Sequence, residues 1–365
     1  MVADCAARIT DRDAAQLHTP VLLQRCLDLL APAFDVDQPV MIDCTLGMGG
    51  HTEGALERFP HLTVVGIDRD LQAIEVASKR LERFGKRFRA VHTTYDHVDD
   101  VAGEICDEFG RDGGVDGILM DLGVSSLQLD EADRGFSYAR PAPLDMRMDR
   151  TSSVTAQSIL DTADEREITR ILRTYGEEKF ASKIARTIVS LRDKGTPVTD
   201  TSALVDVVRS SIPAAARRTG GNPAKRTFQA LRIAVNSELE VLENAIPAAI
   251  DSIRVGGRLV VESYQSLEDR MVKRAFTAGS ISNVPADLPI IPDDHKPYLD
   301  VVTRGAERAS DEDIAANPRS APVRLRACTR LRPSSEAPAT SLIDNRRSHR
   351  SHKSTTQTTQ ARRRA

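Results

Sequence analysis

The stretch Val40–His51, VMIDCTLGMGGH, decides how this chain is read. Val40, Met41 and Ile42 are apolar, follow Pro39 and are closed by Asp43. That pattern predicts a short buried strand with an acid at its tip. Gly47, Gly49 and Gly50 come next. Glycine lacks a Cβ and tolerates positive φ, so the backbone can turn tightly here and approach a ligand. A strand–glycine–helix corner of this kind is where open α/β sheets bind nucleotide-like molecules. The next apolar run, Leu62–Asp68 (LTVVGID), also ends in an acid. An acid at the tip of a second strand is the usual receptor for ribose hydroxyls. Asp43, the glycines and Asp68 together point to a ligand with an adenosine-like group.

The dinucleotide fingerprint is not met, because Thr52 stands where the third glycine belongs. S-adenosylmethionine has no pyrophosphate to seat on a helix N-terminus. Its amino acid end calls for acidic and backbone partners. An acid four residues before the first glycine fits it better than a dinucleotide. A structural βα turn without a ligand is the third reading.

Composition narrows the class. A chain of 365 residues has length for about two domains. Hydrophobic content of 40% and charged content of 28% describe a globular chain. No apolar run approaches the ~20 residues of a membrane span. Residues 1–17 read as a flexible leader whose acids and lack of an apolar core do not resemble a secretory signal. Cys5, Cys26, Cys44, Cys106 and Cys328 are scattered and form no C-x-x-C pair. They suit a reducing cytoplasm and give no metal-ligand spacing. Residues 333–365 carry seven Lys/Arg against two acids, a net of +5 within a chain of net −3. This Ser/Thr/Gln/Arg-rich tail, 332–365, has little to bury and reads as disordered. It can strengthen nucleic-acid binding through phosphate contacts, or be only a solvated terminus.

Along the chain, Val21–Leu30 has helical spacing, and Thr52–Phe59 links the first two strands. Leu71–Phe84 places Leu71, Ile74, Ala77 and Leu81 on one helical face. Phe88–His92 reads as a third strand with Tyr95 just past its end, Val98–Phe109 as a helix and Val115–Asp121 as a fourth strand. Three strands thus end at Asp43, Asp68 and Asp121, along the edge where parallel sheets bind ligands. The segment Leu122–Arg150 is long, polar and without clear period. Phe136, Tyr138, Leu144 and Met146 can anchor it, so an ordered functional loop is expected. Thr155–Leu160, Asp164–Tyr175, Glu178–Lys194 and Thr201–Ser211 read as helices with no strand among them. Arg217–Lys225 is a basic hinge, and Thr227–Leu242 one strong amphipathic helix. Arg258–Ser263 (RLVVES) resumes the sheet, Leu267–Phe276 is a helix, and Tyr298–Thr303 with Val323–Thr329 supply a closing antiparallel pair. The organisation expected is a discontinuous α/β domain, 18–134 and 225–331, interrupted by a loop and inserted helical domain over 135–224.

With these residues in view, the chain resembles the bacterial MraW family, cytosine-N4 methyltransferases of small-subunit ribosomal RNA. The matching strings include His18–Leu23 (HTPVLL), Asp43–His51, Gly66–Asp70, Asp116–Ser126 (DGILMDLGVSS), Arg134–Ser137, Pro143–Asp149, Thr174–Phe180, Arg226–Ala230, Asn236–Glu240, Ser266–Arg270 and Asn317–Ser320. They run in the family's order from residue 18 to about 331. The resemblance implies a Rossmann-like class I S-adenosylmethionine-dependent methyltransferase sheet with an inserted all-helical domain. It implies methylation of the exocyclic N4 of a cytidine in the decoding region of 16S rRNA, within the small ribosomal subunit. Carried over by motif, the cofactor contacts are Gly49, Gly50, His51, Asp68, Tyr95, Asp121 and Gln128. The family usually has Phe at the position of Tyr95. It often has His where Gln265 stands, so Gln265 is not assigned a proton-transfer role.

The chemistry is displacement at a sulfonium methyl, so the protein mainly supplies orientation and electrostatics. Cytosine N4 is a poor nucleophile, and an acceptor for its hydrogens helps it attack. Asp121, Ser125 and Ser126 are the expected catalytic flank. Phe136 or Tyr138 is expected to stack on an extruded base. Arg217, Arg218, Lys225 and Arg226 are candidate rRNA phosphate contacts. The plainer alternatives are a cofactor-only role for Asp121, helix capping by the serines, a core role for Phe136 and solvated basic residues. Asp145 and Arg147 read as a structural ion pair. Rival functions are a methyltransferase for a small metabolite or protein, and a non-catalytic RNA-binding assembly protein. Nothing in the sequence decides between monomer and homodimer.

Overall fold

The computed structural model describes residues 20–138, 140–214, 222–282 and 295–333. The expected leader and His18, the hinge residues Arg217 and Arg218, and almost all of the basic tail lie outside the described residues.

Seven strands form one sheet: β1 (Val40–Asp43), β2 (Thr63–Asp68), β3 (Phe88–His92), β4 (Val115–Asp121), β5 (Ile253–Ser263), β6 (Leu299–Val301) and β7 (Arg324–Arg330). Their order is β3-β2-β1-β4-β5-β7-β6. Strands β1 to β5 pair in parallel, and β7 runs antiparallel to both neighbours. The chain leaves β1 toward β2 and β3, then crosses back to β4. The strand order therefore reverses between β1 and β4, and ligand crevices open at the carboxyl ends of strands flanking such a point. Asp43 and Asp121 end those two strands. This is the parallel α/β sheet expected from the alternation of apolar runs, in the class I methyltransferase form that the resemblance implies.

The helices in chain order are α1 (Leu23–Leu30), α2 (Gly50–Arg58), α3 (Leu71–Leu81), α4 (Val98–Phe109), α5 (Ser126–Asp130), α6 (Ala156–Thr162) and α7 (Glu165–Gly176). There follow α8 (Ala181–Asp193), α9 (Thr201–Ser211), α10 (Lys225–Asn236), α11 (Glu238–Ser252), α12 (Ser266–Ser280) and α13 (Asp311–Ala316). Strand side chains alternate between faces. Val40, Ile42, Val65, Ile67, Ile118, Met120 and Val261 share one core with α4, α11 and α12. Met41, Val64, Leu119 and Val260 share the opposite core with α1, α2 and α3. A third core draws its buried residues from Phe136 to Val235, out of the loop after β4 and α6 to α10.

Two boundaries differ from expectation. The helix expected over Thr227–Leu242 is two helices, broken at Ser237, whose φ is +49°. The break follows from tertiary bonds that the apolar spacing does not reveal. Asn236 donates to the Met146 carbonyl and accepts from the Met148 N–H, both at 2.7 Å. Arg232 makes a two-pronged ion pair with Glu238 across the break. Strand β5 also starts earlier than expected, at Ile253, through a register shift opposite Val115 and Gly117.

Candidate active site

The glycine corner is built by packing as much as by any ligand. Gly49 caps α2 at φ +78°, and a Cβ there would lie 2.9 Å from Leu81 Cδ1. A Cβ on Gly50 would lie 2.6 Å from Pro20 Cγ. Asp43 anchors the turn from beneath: it accepts from the Thr45 N–H (3.1 Å) and the Thr52 hydroxyl (2.7 Å). Asp68 accepts from the Gly47 N–H and the Asp70 N–H, both 2.8 Å, one on each oxygen. Each oxygen keeps a lone pair for a hydroxyl. Burial pushes the Asp68 carboxyl up to about 6, against those two hydrogen bonds.

Asp121 stands at the end of β4 with its side chain 27% exposed. Its N–H donates to Thr45 Oγ1 (2.6 Å), which ties the two strand tips together. Its Oδ1 has no hydrogen-bond partner. Burial raises its pKa, His51 opposes that rise, and Asp43 adds to it. Tyr264, just past β5, also bonds to this carboxyl.

The structure gathers Gly49, Gly50, His51, Asp68 and Asp121 around this corner through the contacts just given. Tyr95 opens a short 3-10 turn after β3. Burial, with Glu238 and Glu268 nearby, drives its hydroxyl far above the usual phenol range. Gln128 is buried and committed: its amide donates to Asp70 (3.1 Å) and its oxygen accepts from the Ser125 N–H (3.1 Å). Ser125 Oγ in turn accepts from the Gln128 N–H, a reciprocal cap on α5. Ser126 is the first residue of that helix. Among the substrate candidates, Phe136 is buried in the helical core under the Arg134 guanidinium, 5.7 Å from its ring centre. Tyr138 is 36% exposed and meets Phe228 edge-on. Lys225 and Arg226 are exposed at the start of α10, and Arg226 donates to the Glu177 carbonyl. Asp145 and Arg147 form a two-pronged ion pair (2.7 and 2.8 Å).

Sequence reasoning missed Glu262 and Cys26. Glu262 is fully buried next to the end of β5, beside Asp121 in register. The signal was an acid inside the apolar run RLVVES, the fourth strand-end acid of this sheet. Cys26, His51 and Glu262 bring one donor atom each within 4.8 Å, a set no sequence spacing announces. His51 Nε2 lies 3.0 Å from the Val21 carbonyl, which can only accept, so Nε2 keeps its proton. The Cys26 thiol is turned to Glu262. The three side chains face one another, with the His51 Nε2 proton directed at the Val21 carbonyl and neither Glu262 oxygen in a hydrogen bond of ordinary geometry.

S-adenosylmethionine carries a positive sulfonium, an ammonium and a ribose diol. The acidic strand tips and the free lone pairs on Asp68 suit those groups. Comparison with known proteins agrees. The model of the MraW methylase family matches residues 15–331. The ribosomal RNA small subunit methyltransferase H of Beutenbergia cavernae is 59% identical over 329 residues, 90% of this chain and 97% of that protein. Proteins of the same name from Kocuria rhizophila and Streptomyces avermitilis are 56% and 53% identical, covering 87% of this chain and 96% and 98% of theirs. With the glycine corner, the acidic strand tips and near full-length identity in accord, the chain belongs to the MraW methylase family and is an S-adenosylmethionine-dependent methyltransferase.

Proposed function

We propose that this enzyme methylates the exocyclic N4 of a cytidine in the decoding region of 16S rRNA, in the small ribosomal subunit and in the cytoplasm. The observation that carries the reading is Asp121 at the switch point of the sheet, with its side chain partly exposed and its buried Oδ1 without a hydrogen-bond partner. Its relatives' shared name supports the rRNA substrate. When bound, S-adenosylmethionine supplies an activated methyl group. Asp68 would hold the ribose hydroxyls, and Gly49 and Gly50 let the turn beside it pack closely on Leu81 and Pro20. Asp121 accepts a hydrogen bond from N4, which raises electron density on a nitrogen whose lone pair is otherwise drawn into the ring. As the N–C bond forms, the S–C electron pair goes to sulfur and N4 gives up one proton. Tyr138, exposed on the loop after β4, is the stacking candidate that remains accessible. Phe228 meets it edge-on from the core, where Phe136 is buried. Lys225 and Arg226, with Arg217 and Arg218, contact rRNA phosphates. The segment 135–224 acts as the inserted domain that presents the RNA to the 18–134 and 225–331 sheet domain. One copy of the chain suffices for this reading.

The test is nucleoside analysis of 16S rRNA from cells lacking the enzyme, before and after incubation with it and cofactor. Appearance of N4-methylcytidine is expected. A methyl group on another nucleoside, or on protein alone, contradicts the assignment.

A further inference from the structure

We propose that Cys26, His51 and Glu262 form a structural zinc site behind the glycine corner. Cys26 lies on α1, His51 in the first turn of α2 and Glu262 near the end of β5, so an ion held there joins three elements. Among the described residues, no other trio of such side chains brings its donor atoms within 4.8 Å of one another. All three residues are buried. Neither Glu262 oxygen makes a hydrogen bond of ordinary geometry. A buried carboxyl without a partner is costly, and a native structure that keeps one calls for a group that it holds. Its neighbours do not fill that role. His51 Nε2 is 3.3 Å from Glu262 Oε2 but directs its proton at the Val21 carbonyl, 3.0 Å away. The Cys26 thiol, turned to Glu262, is a weak donor.

Spacing and chemistry point to the metal. A tetrahedral zinc ion with bonds of about 2.0–2.3 Å keeps its donors roughly 3.3–3.8 Å apart. The His51–Glu262 separation already has that value, and the thiol is near enough to join by a small shift. The Val21 carbonyl, facing the same ring nitrogen, is the fourth donor. Sulfur, imidazole nitrogen and carboxylate oxygen together suit zinc, whereas calcium and magnesium take oxygen donors. Burial keeps the thiol and the carboxyl protonated beforehand, so each releases a proton to solvent as the ion binds. The thiolate and the carboxylate then cancel the charge of the ion, and the buried site is neutral. The ion takes the place of the Nε2 proton, and the ring carries its proton on Nδ1 instead. That nitrogen faces Asp121, 3.7 Å from its Oδ2, where an outer carboxylate orients a metal-bound histidine. With every position taken by protein, the ion takes no part in methyl transfer. It fixes the His51 ring beside Asp121 and fastens α1 and α2 to β5.

The test is zinc binding by the full chain, dialysed against a chelator and then titrated with Zn2+ in a calorimeter, with Co2+ as a spectroscopic probe. A single zinc ion per chain is expected, with a raised melting temperature. Bound Co2+ is expected to show the strong visible bands of a tetrahedral site and a thiolate charge-transfer band in the near ultraviolet. Cys26→Ala should abolish that charge-transfer band and weaken zinc binding at least about 100-fold, since losing a direct ligand outweighs the ~10–100-fold typical of outer partners. Glu262→Gln keeps the shape, weakens binding and leaves the thiolate band. Melting curves of both variants show that they fold. A parent chain that takes up no zinc at micromolar concentration overturns the proposal. So does zinc bound equally well by the parent and both variants, which places it elsewhere, as on His349 and His352 of the tail. The readout needs no methyl transfer, so it stands or falls apart from the reading above.

Discussion

At the scale of single residues, the proposed methyl transfer turns on Asp121. It is one of three strand-end acids legible from sequence, because an acid closing a short apolar run is visible without any structure. Asp121→Asn keeps the shape and removes the proton acceptor. Single-turnover methyl transfer is expected to fall about 10²–10⁴-fold, with cofactor affinity changed far less; an unchanged rate measured by rapid quench would contradict the role. Asp68 gives a pH prediction. Its carboxyl is pushed up to about 6 from 3.8, so it is half protonated near that pH in the free enzyme. The ionised form is the better acceptor for ribose hydroxyls. Cofactor affinity should therefore be constant at higher pH and weaken as pH falls through about 6. Calorimetric titration from acid to neutral pH checks this, and a flat profile would remove Asp68 from the ribose site. The same shift carries a stability sign. An acid whose folded pKa is raised takes up a proton on folding, so its contribution is fully present below the unfolded value and is lost as pH rises through the folded one. Glu262 was not legible, since its partners His51 and Cys26 lie more than two hundred residues away in the chain.

At the scale of elements, the loop after β4 was expected to be ordered, and its anchor is a buried ion pair that sequence does not announce. Arg134, 1% exposed, donates to Asp70 Oδ2 at 2.6 Å and to the Arg147 and Met148 carbonyls at 3.0 and 2.8 Å. Asp70 also caps α3 and receives the Gln128 amide. The loop is thus fastened to the residue next to the Asp68 site. Arg134→Met leaves Asp70 as an uncompensated buried charge and should cost about 3–5 kcal/mol. Urea unfolding checks it; a drop in stability below ~1 kcal/mol would show that the pair is not what holds the loop. Helix identity was readable wherever apolar residues recur at helical spacing, as in α3 and α4. The break at Ser237 was not, because both flanking helices carry the same apolar spacing and only the bonds of Asn236 and Arg232 distinguish them.

At the scale of the whole molecule, two cores sandwich the sheet and a third belongs to the helical segment. The succession of elements, strands first, then helices, then strands again, was legible from the order of apolar runs. Among the described residues no helix is long and apolar enough to cross a membrane. The asymmetry of charge, with a net of +5 in residues 333–365, sets a further expectation. Removing residues 334–365 should leave the methyl-transfer step itself intact and weaken RNA binding. Each RNA phosphate that the tail no longer neutralises makes the slope of log affinity against log salt shallower by about 0.7–0.9. Filter binding across a salt series checks this, and an unchanged slope would make the tail a solvated terminus.

The central claim is that this fold delivers a methyl group to a cytidine of the small subunit. The measurement is transfer of labelled methyl from S-adenosylmethionine to small ribosomal subunits, naked 16S rRNA and a protein control, all from cells lacking the enzyme. Label is expected in the subunits, recovered as N4-methylcytidine, and none in the protein. No label in either RNA sample, with cofactor binding intact, would contradict the claim.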